Sequence, residues 1–127
     1  MSDTTTRGIR VEVESFYVAE RSSPHEDYYF FAYKIRISNG GDDTAQLISR
    51  VWIITDSNGQ QQRVEGPGVV GEQPVLAPGE SFEYTSFCPL STPVGSMEGS
   101  YFMRTDSGET FDAEISSFPL LAPHAVN

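Results

Sequence analysis

A stretch rich in glycine and proline, Val64 to Glu80, constrains the fold more than any other part of the sequence. It reads V-E-G-P-G-V-V-G-E-Q-P-V-L-A-P-G-E. A periodic helix cannot form across it, because proline lacks the backbone N–H that a helix needs and glycine favours turns. Within it, Gly66, Gly68 and Gly71 have the G-x-G-x-x-G spacing of a nucleotide-binding fingerprint. The context of these glycines distinguishes a phosphate-binding loop from a structural one.

That context does not support dinucleotide binding. A dinucleotide fingerprint needs a helix that begins at the last glycine, because the free N–H groups of that helix hold the pyrophosphate. Here Gln73-Pro74 follows the motif, so no helix begins, and Pro67 inside the motif has no N–H to donate. Where a ribose-binding acid should follow, the chain reads Phe87-Cys88-Pro89-Leu90-Ser91. The glycines therefore predict a loop with positive φ or close backbone approach.

Alternation of apolar and polar residues predicts strands through most of the remaining chain. Ile9, Val11 and Val13 alternate with charged residues, which is typical of a strand with one wet face. Residues 28–38 are apolar on both faces at one end, which favours a central strand. Turn signals such as Asn58-Gly59 recur about every ten residues. We predict one all-β domain over residues 1–127, an immunoglobulin-like or fibronectin type III-like β-sandwich of about seven to eight antiparallel strands.

Several local features of this sandwich can be predicted. The alternation slips at Phe16-Tyr17-Val18, which suggests a β-bulge. In the strand over residues 45–56, simple alternation places Leu47, Val51 and Ile53 on one face and Ile48, Trp52 and Ile54 on the other. Residues 1–6 and 123–127 are expected to be flexible. The residues expected to be largely buried are Trp52, Phe31, Tyr33, Ile35 and Ile53.

The charge balance limits the classes of partner. The chain has 18 acidic and 8 basic residues, a net charge of −10. Such a surface repels phosphate backbones and anionic lipid, so we expect no nucleic-acid partner. No apolar stretch approaches twenty residues and no basic leader precedes one, so we expect no membrane insertion. Cys88 is the only cysteine. It cannot form an intramolecular disulfide, which fits a reducing cytoplasm, and we expect it to be a small buried side chain.

Groups for catalysis and metal binding are sparse. The only histidines are His25 and His124, and neither lies beside a G-x-S-x-G elbow. Zinc or cobalt would need clustered histidine and cysteine, which the sequence lacks. Adjacent acids in His25-Glu26-Asp27 and Asp42-Asp43 are more typical of solvated turns than of Mg²⁺ ligands. We therefore predict no catalytic residue, no metal site, no cofactor and no enzymatic activity.

A family resemblance covers nearly the whole chain. The residues that carry it are Tyr29 to Tyr33 (YFFAY), Ile35, Ile37 to Asn39 (ISN), Gln46 to Asp56 (QLISRVWIITD), Asn58-Gly59, Val64 to Pro74 (VEGPGVVGEQP), Leu76 to Glu80 (LAPGE), Tyr84 to Ser86 (YTS), Pro93, Gly95, Met97, Gly99 and Tyr101. In these the chain resembles the ApaG family. The resemblance implies a fibronectin type III-like sandwich in the cytoplasm and a link to cobalt resistance and magnesium efflux. It also implies an interaction module, because the domain behaves as one in eukaryotic members.

Two functions remain open from the sequence. The first is a non-catalytic protein-interaction module with an unidentified protein partner, indirectly associated with divalent cation homeostasis. Its candidate contacts are Val69, Val70 and Gln73. The two valines lie in mid-loop, where they either tuck into the sandwich or present a small apolar patch. The alternative is a sensor of nucleotide, polyphosphate or a divalent cation that uses Gly66 to Gly71 as an anion-binding nest or the acidic loops as a cation site.

Overall fold

The fold is a sandwich of two antiparallel sheets, as predicted. The computed structural model describes residues 1–123. Its strands are β1 (Ser2–Thr6), β2 (Ile9–Tyr17), β3 (Tyr29–Asn39), β4 (Ala45–Asp56), β5 (Gln61–Pro67), β6 (Val75–Leu76), β7 (Ser81–Leu90), β8 (Val94–Thr105) and β9 (Thr110–Leu121). One sheet has the order β1-β2-β3-β7 and the other β5-β4-β8-β9, with β6 paired to β4. Two short 3₁₀ turns, Ala19–Arg21 and Pro24–Glu26, connect β2 to β3.

The core lies between the sheets and is built from alternate residues of each strand. On β3, Phe31, Tyr33 and Ile35 are buried, as the alternation predicted. Trp52 of β4 meets the Tyr33 ring edge-on, with 5.4 Å between centroids, and the Phe118 ring of β9 at 5.9 Å. These aromatic contacts join the sheets at the middle of the sandwich. Trp52 is therefore a core anchor, as predicted.

A β-bulge in β4 changes which residues face the core. Leu47 lies opposite Met103 of β8 and Ser49 lies opposite Phe102, so Ile48 is an extra residue with no partner across the ladder. The bulge shifts the two-residue period by one, so Leu47 and Trp52 both point inward although they are five residues apart. The prediction that Leu47 shares a face with Val51 and Ile53 was wrong for this reason.

Ile53 is correspondingly less buried than predicted. It is only partly buried, because on the far side of the bulge its position faces the outer surface of the sheet while Trp52 faces the core. The prediction that Ile53 belongs with the largely buried residues was therefore wrong.

The bulge predicted at Phe16-Tyr17-Val18 is absent. β2 pairs with β3 in unbroken register from Ile9 opposite Asn39 to Tyr17 opposite Phe31. The apparent slip arises because Phe16 is an apolar residue on the outer face, opposite Ala32 and 45% exposed.

The N-terminal segment is ordered rather than flexible. Ser2–Thr6 pair with β2 residue by residue, from Ser2 opposite Val13 to Thr6 opposite Ile9. A tight turn at Arg7-Gly8, with φ of +48° and +84°, reverses the chain between these strands. Threonine favours extended backbone, which explains why a short polar segment forms an edge strand. The prediction that residues 1–6 are flexible was wrong. The same prediction for residues 123–127 falls mostly on residues 124–127, which lie outside the described part of the chain.

The two lateral sides of the sandwich differ. On one side β1 and β2 lie against β9, where the Glu114 backbone N–H donates to Thr6 Oγ1 at 3.2 Å and Ser15 Oγ donates to the Pro119 carbonyl at 2.8 Å. We call this the closed side. On the other side β7 and β5 end their sheets, and the glycine-rich loop after β5 lies over the gap between them. We call this the cleft side.

Candidate functional site

The glycine-rich loop contains a tight two-residue turn. Val69 and Glu72 exchange two backbone hydrogen bonds, of 2.8 and 2.9 Å, which leave Val70 and Gly71 as the central residues. Both central residues have positive φ, +44° and +82° respectively, the signs that a type I′ turn requires. We call residues 69–72 the rim turn. It is a structural turn of the kind that the glycines predicted.

The two valines of this turn have opposite environments. Val69 is 1% exposed and belongs to the core, whereas Val70 is 55% exposed. Val69 therefore tucks into the sandwich and Val70 lies at the surface, while contact between Val70 and a partner stays a prediction. Val70 is also strained, because a β-branched side chain rarely adopts positive φ. Asparagine or glycine is the usual residue at such a position.

Gln73 fastens the loop to the bulge of β4. Its side-chain Nε2 donates to the Ile48 carbonyl at 2.9 Å, and the Gly68 N–H donates to the same oxygen at 2.9 Å. The Gln73 carbonyl in turn accepts from Gln46 Nε2 at 3.2 Å. The bulge thus supplies the acceptor that positions the loop. Contact between Gln73 and a partner stays a prediction.

Arg50 is a candidate site residue that the sequence interpretation missed. The bulge turns it toward the inside of the sandwich, opposite Tyr101 of β8 and Gly66 of β5. Its Nη1 donates to the carbonyls of Pro67 and Gly68 at 3.0 and 2.9 Å. A Cβ at Gly66 would lie 3.0 Å from Nη1, so the absent side chain leaves room for the guanidinium.

Each glycine of the motif thus has a role without a phosphate. Gly66 makes room for Arg50, and Gly71 is the second central residue of the rim turn. Gly68 has φ +59°, and a Cβ there would lie 2.2 Å from the Glu72 carbonyl oxygen. The close approach that the glycines predicted is therefore present at Gly66 and Gly68, and the positive φ at Gly68 and Gly71.

A cleft of about 390 Å³ lies between Arg50 and the rim turn. Its walls come from four segments that are distant in sequence, and none of the lining residues is acidic. They are Tyr33 of β3, Arg50 and Trp52 of β4, Pro67, Val69, Val70 and Gly71 of the loop region, and Tyr84 and Ser86 of β7. The volume is in the range of small-molecule sites.

Tyrosine hydroxyls dominate the polar interior next to this cleft. The hydroxyls of Tyr84 and Tyr101 are hydrogen-bonded to each other. Burial raises the pKa of Tyr33, Tyr84 and Tyr101, whereas the positive charge of Arg50 acts on each of them in the opposite direction. All three hydroxyls are therefore neutral at physiological pH and able to donate hydrogen bonds. Arg50 is close enough to influence each of them.

Other reactive groups do not gather at this site. Within residues 1–123 no group of three or more His, Cys, Asp or Glu side chains could hold a metal ion. Cys88 is buried, as predicted, and burial raises the pKa of its thiol to about 11, so the thiol is protonated and a poor nucleophile at neutral pH. His25 lies in the 3₁₀ turn Pro24–Glu26, and His124 lies outside the described residues. The expected lack of enzymatic activity stays a prediction.

Comparison with known proteins identifies the family. The family model of the ApaG domain matches residues 19–105, which is more than half of the chain. The chain belongs to the ApaG family. Protein ApaG of Methylobacterium sp. (strain 4-46) is 56% identical over 124 residues, 98% of this chain and 95% of its own length. Protein ApaG of Anaeromyxobacter sp. (strain K) is 54% identical over 127 residues, the full length of both chains.

A solved structure has the same architecture. A Bordetella pertussis protein designated ApaA superimposes with a TM-score of 0.89 at 51% identity, covering 91% of this chain and 94% of its own. The segment that matches the ApaG domain contains every residue that lines the cleft, whereas β1, β2 and β9 of the closed side lie outside it. Within residues 1–123 we find no helix that could span a membrane.

Proposed function

We propose that this ApaG-family chain is a non-catalytic module that binds a protein partner at the rim turn. The observation that supports the proposal is the conformation of Val70. Its side chain is exposed while its backbone is held at φ +44°, where asparagine or glycine would be unstrained. Backbone strain of this kind costs on the order of 1–3 kcal/mol and is concentrated at functional sites. An exposed valine recovers little of this by burial in the free protein.

The rim turn is also rigidly held, which suits recognition. Val69 anchors it in the core, Gln73 ties it to the bulge of β4, and Arg50 binds the two carbonyls that precede it. A side chain presented on such a support loses little conformational entropy when a partner binds it. Val70 would then insert into an apolar recess of the partner, where its burial stabilises the complex.

The association with cobalt and magnesium homeostasis belongs to the same proposal. We place the chain in the cytoplasm, acting on cation transport indirectly through its partner. The single cysteine, buried as a free thiol, is compatible with a reducing compartment. The alternative, a small-ligand sensor, is favoured by a different feature, the cleft beside Arg50, rather than by the glycine motif.

The test compares two exposed valines in one capture experiment. Val70→Asn relieves the strain and removes the apolar contact, whereas Val75→Asn changes a valine of matching exposure, 56%, in β6. Each variant and the wild type are immobilised, incubated with cell extract and analysed by quantitative mass spectrometry. We expect a protein that the wild type and Val75→Asn capture and that Val70→Asn loses by tenfold or more. Because Val70→Asn should fold at least as stably as the wild type, misfolding cannot account for the loss. If no captured protein depends on Val70, the rim turn is not the partner site.

A further inference from the structure

Two arginines of the chain show what the same guanidinium edge does in different surroundings. Arg10 on β2 uses its Nε and Nη2 atoms to bind the carboxylate of Asp3, at 2.9 and 2.6 Å, in the two-point geometry typical of arginine with carboxylates. Arg50 uses only Nη1, for the carbonyls of Pro67 and Gly68. Within residues 1–123, its Nε–Nη2 edge donates to no acceptor and forms no ion pair.

The surroundings of Arg50 suit an anionic guest. The chain has a net charge of −10, yet no acidic residue lines the cleft where Arg50 lies. Tyr33, Tyr84 and Ser86 add hydroxyl groups to the lining. The backbone carbonyls that hold Nη1 also fix the plane of the guanidinium. Such preorganisation reduces the cost of binding, because the side chain is already ordered.

We propose that this cleft binds the carboxylate group of a small organic anion, with the Nε–Nη2 edge of Arg50 as the two-point anchor. Carboxylate is favoured over phosphate or polyphosphate on charge. One guanidinium neutralises a monoanion, whereas a polyphosphate carries further charges that the acidic surface repels. The proposal concerns the cleft floor rather than Val70 and does not require a protein partner, so either proposal can fail alone.

The direct test follows Arg50 itself in a titration. We would titrate uniformly ¹⁵N-labelled wild-type protein with benzoate, with inorganic phosphate and with chloride, and observe the side-chain Nε–Hε signal of Arg50 by NMR. A ligand this small should bind with a dissociation constant on the order of 1 mM. We expect a saturable shift of the Arg50 signal with benzoate and a much weaker one with phosphate. An Arg50 signal that does not move at roughly twenty times that concentration would overturn the proposal, as would tighter binding of phosphate.

Variants separate charge from geometry. Arg50→Lys keeps the charge but lacks the fork, so it should bind benzoate roughly tenfold more weakly, and Arg50→Gln should not bind it. Because these variants lack the Arg50 signal, binding to wild type and variants is compared by the backbone amide shifts of the cleft residues. The matched control is Arg21→Gln, since Arg21 stacks on the Phe30 ring at 4.3 Å, away from the cleft. It should bind benzoate as the wild type does. The Arg50 variants also lose the hydrogen bonds to the Pro67 and Gly68 carbonyls, so a loss of binding in them counts only beside the wild-type titration. Binding of benzoate by folded Arg50→Gln that equals wild-type binding would refute the anchor.

Discussion

Each lateral side of the sandwich contains an arginine that donates hydrogen bonds within the fold, but the acceptors differ between the two sides. On the closed side, β1 and β9 meet through hydrogen bonds, and Arg10 is satisfied by the carboxylate of Asp3 on the neighbouring strand. On the cleft side, Arg50 is held by backbone carbonyls that carry no net charge. The fork of Arg10 is therefore used within the fold, whereas within residues 1–123 the Nε–Nη2 edge of Arg50 donates to no acceptor. The segment matched by the ApaG domain contains only the second of these arrangements.

The largest effect is expected from the aromatic contact beneath the cleft. Trp52→Ala should lower the free energy of unfolding by about 3–5 kcal/mol, the range for removing a large buried aromatic side chain. Trp52 is 3% exposed and contacts the rings of both Tyr33 and Phe118. Urea denaturation followed by far-ultraviolet circular dichroism measures the change. Val75→Ala, at the exposed position of β6, should change it by no more than about 0.5 kcal/mol. A loss below about 1 kcal/mol for Trp52→Ala would show that the sheets do not depend on this contact.

A smaller effect on the free energy of unfolding is expected at alkaline pH from the buried tyrosines of the cleft side. Burial raises the pKa of Tyr33, Tyr84 and Tyr101 above the ordinary value of 10.0, so the folded state keeps these protons while the unfolded state begins to lose them near pH 10. Their contribution to stability is complete below pH 10 and is lost as pH rises above it. The slope is about 1.4 kcal/mol per pH unit for each proton retained.

Urea denaturation between pH 8 and 11 tests this dependence. Tyr84→Phe removes one of the three groups and should give a shallower decline above pH 10. The slopes are compared rather than the absolute stabilities, because this variant also leaves the Tyr101 hydroxyl without its partner. Parallel curves for the wild type and Tyr84→Phe would contradict the assignment.

The smallest effect is expected on the closed side. A hydrogen bond from Arg10 lowers the pKa of Asp3 below its ordinary value of 3.8, so the pair contributes above that pH and its contribution is lost as pH falls below it. Both side chains are well exposed, and such pairs often contribute nothing measurable. Asp3→Asn should therefore leave the urea midpoint almost unchanged at pH 7 and unchanged at pH 3. A large drop at pH 7 would mean that β1 depends on this pair.

The sequence was sufficient for the architecture but not for the site. Alternation in β2 and β3 and the glycine-marked turns were enough to predict a sandwich, because each is a local property. The phase of β4 could not be read in this way. Ile48, Val51, Ile53 and Ile54 make that strand apolar on both faces, and Ser49-Arg50 after Ile48 puts one polar residue on each face, so neither phase is favoured. The inward position of Arg50 was therefore hidden.

The glycine-rich loop was only partly predictable. Its turn chemistry was evident, but nothing local separated Val69 from Val70, whose burial depends on how the turn docks against the core. Tyr33, Tyr84 and Arg50 likewise come from separate strands and meet only when the two sheets pack. The ordered conformation of β1 was not predicted for a related reason. An edge strand of threonines is stabilised by its partner strand rather than by its own hydrophobicity.

The bulge at Ile48 makes the length of β4 as important as its composition. Removing that one residue would give a regular strand with Leu47, Arg50 and Trp52 still on one face, but would take away the Ile48 carbonyl to which Gly68 and Gln73 donate. A deletion there should therefore loosen the glycine-rich loop from β4, whereas insertions at the hairpin tips around Gly59 and Gly108 should be tolerated. For protein engineering, β4 can be redesigned by substitution but not by changing its residue count.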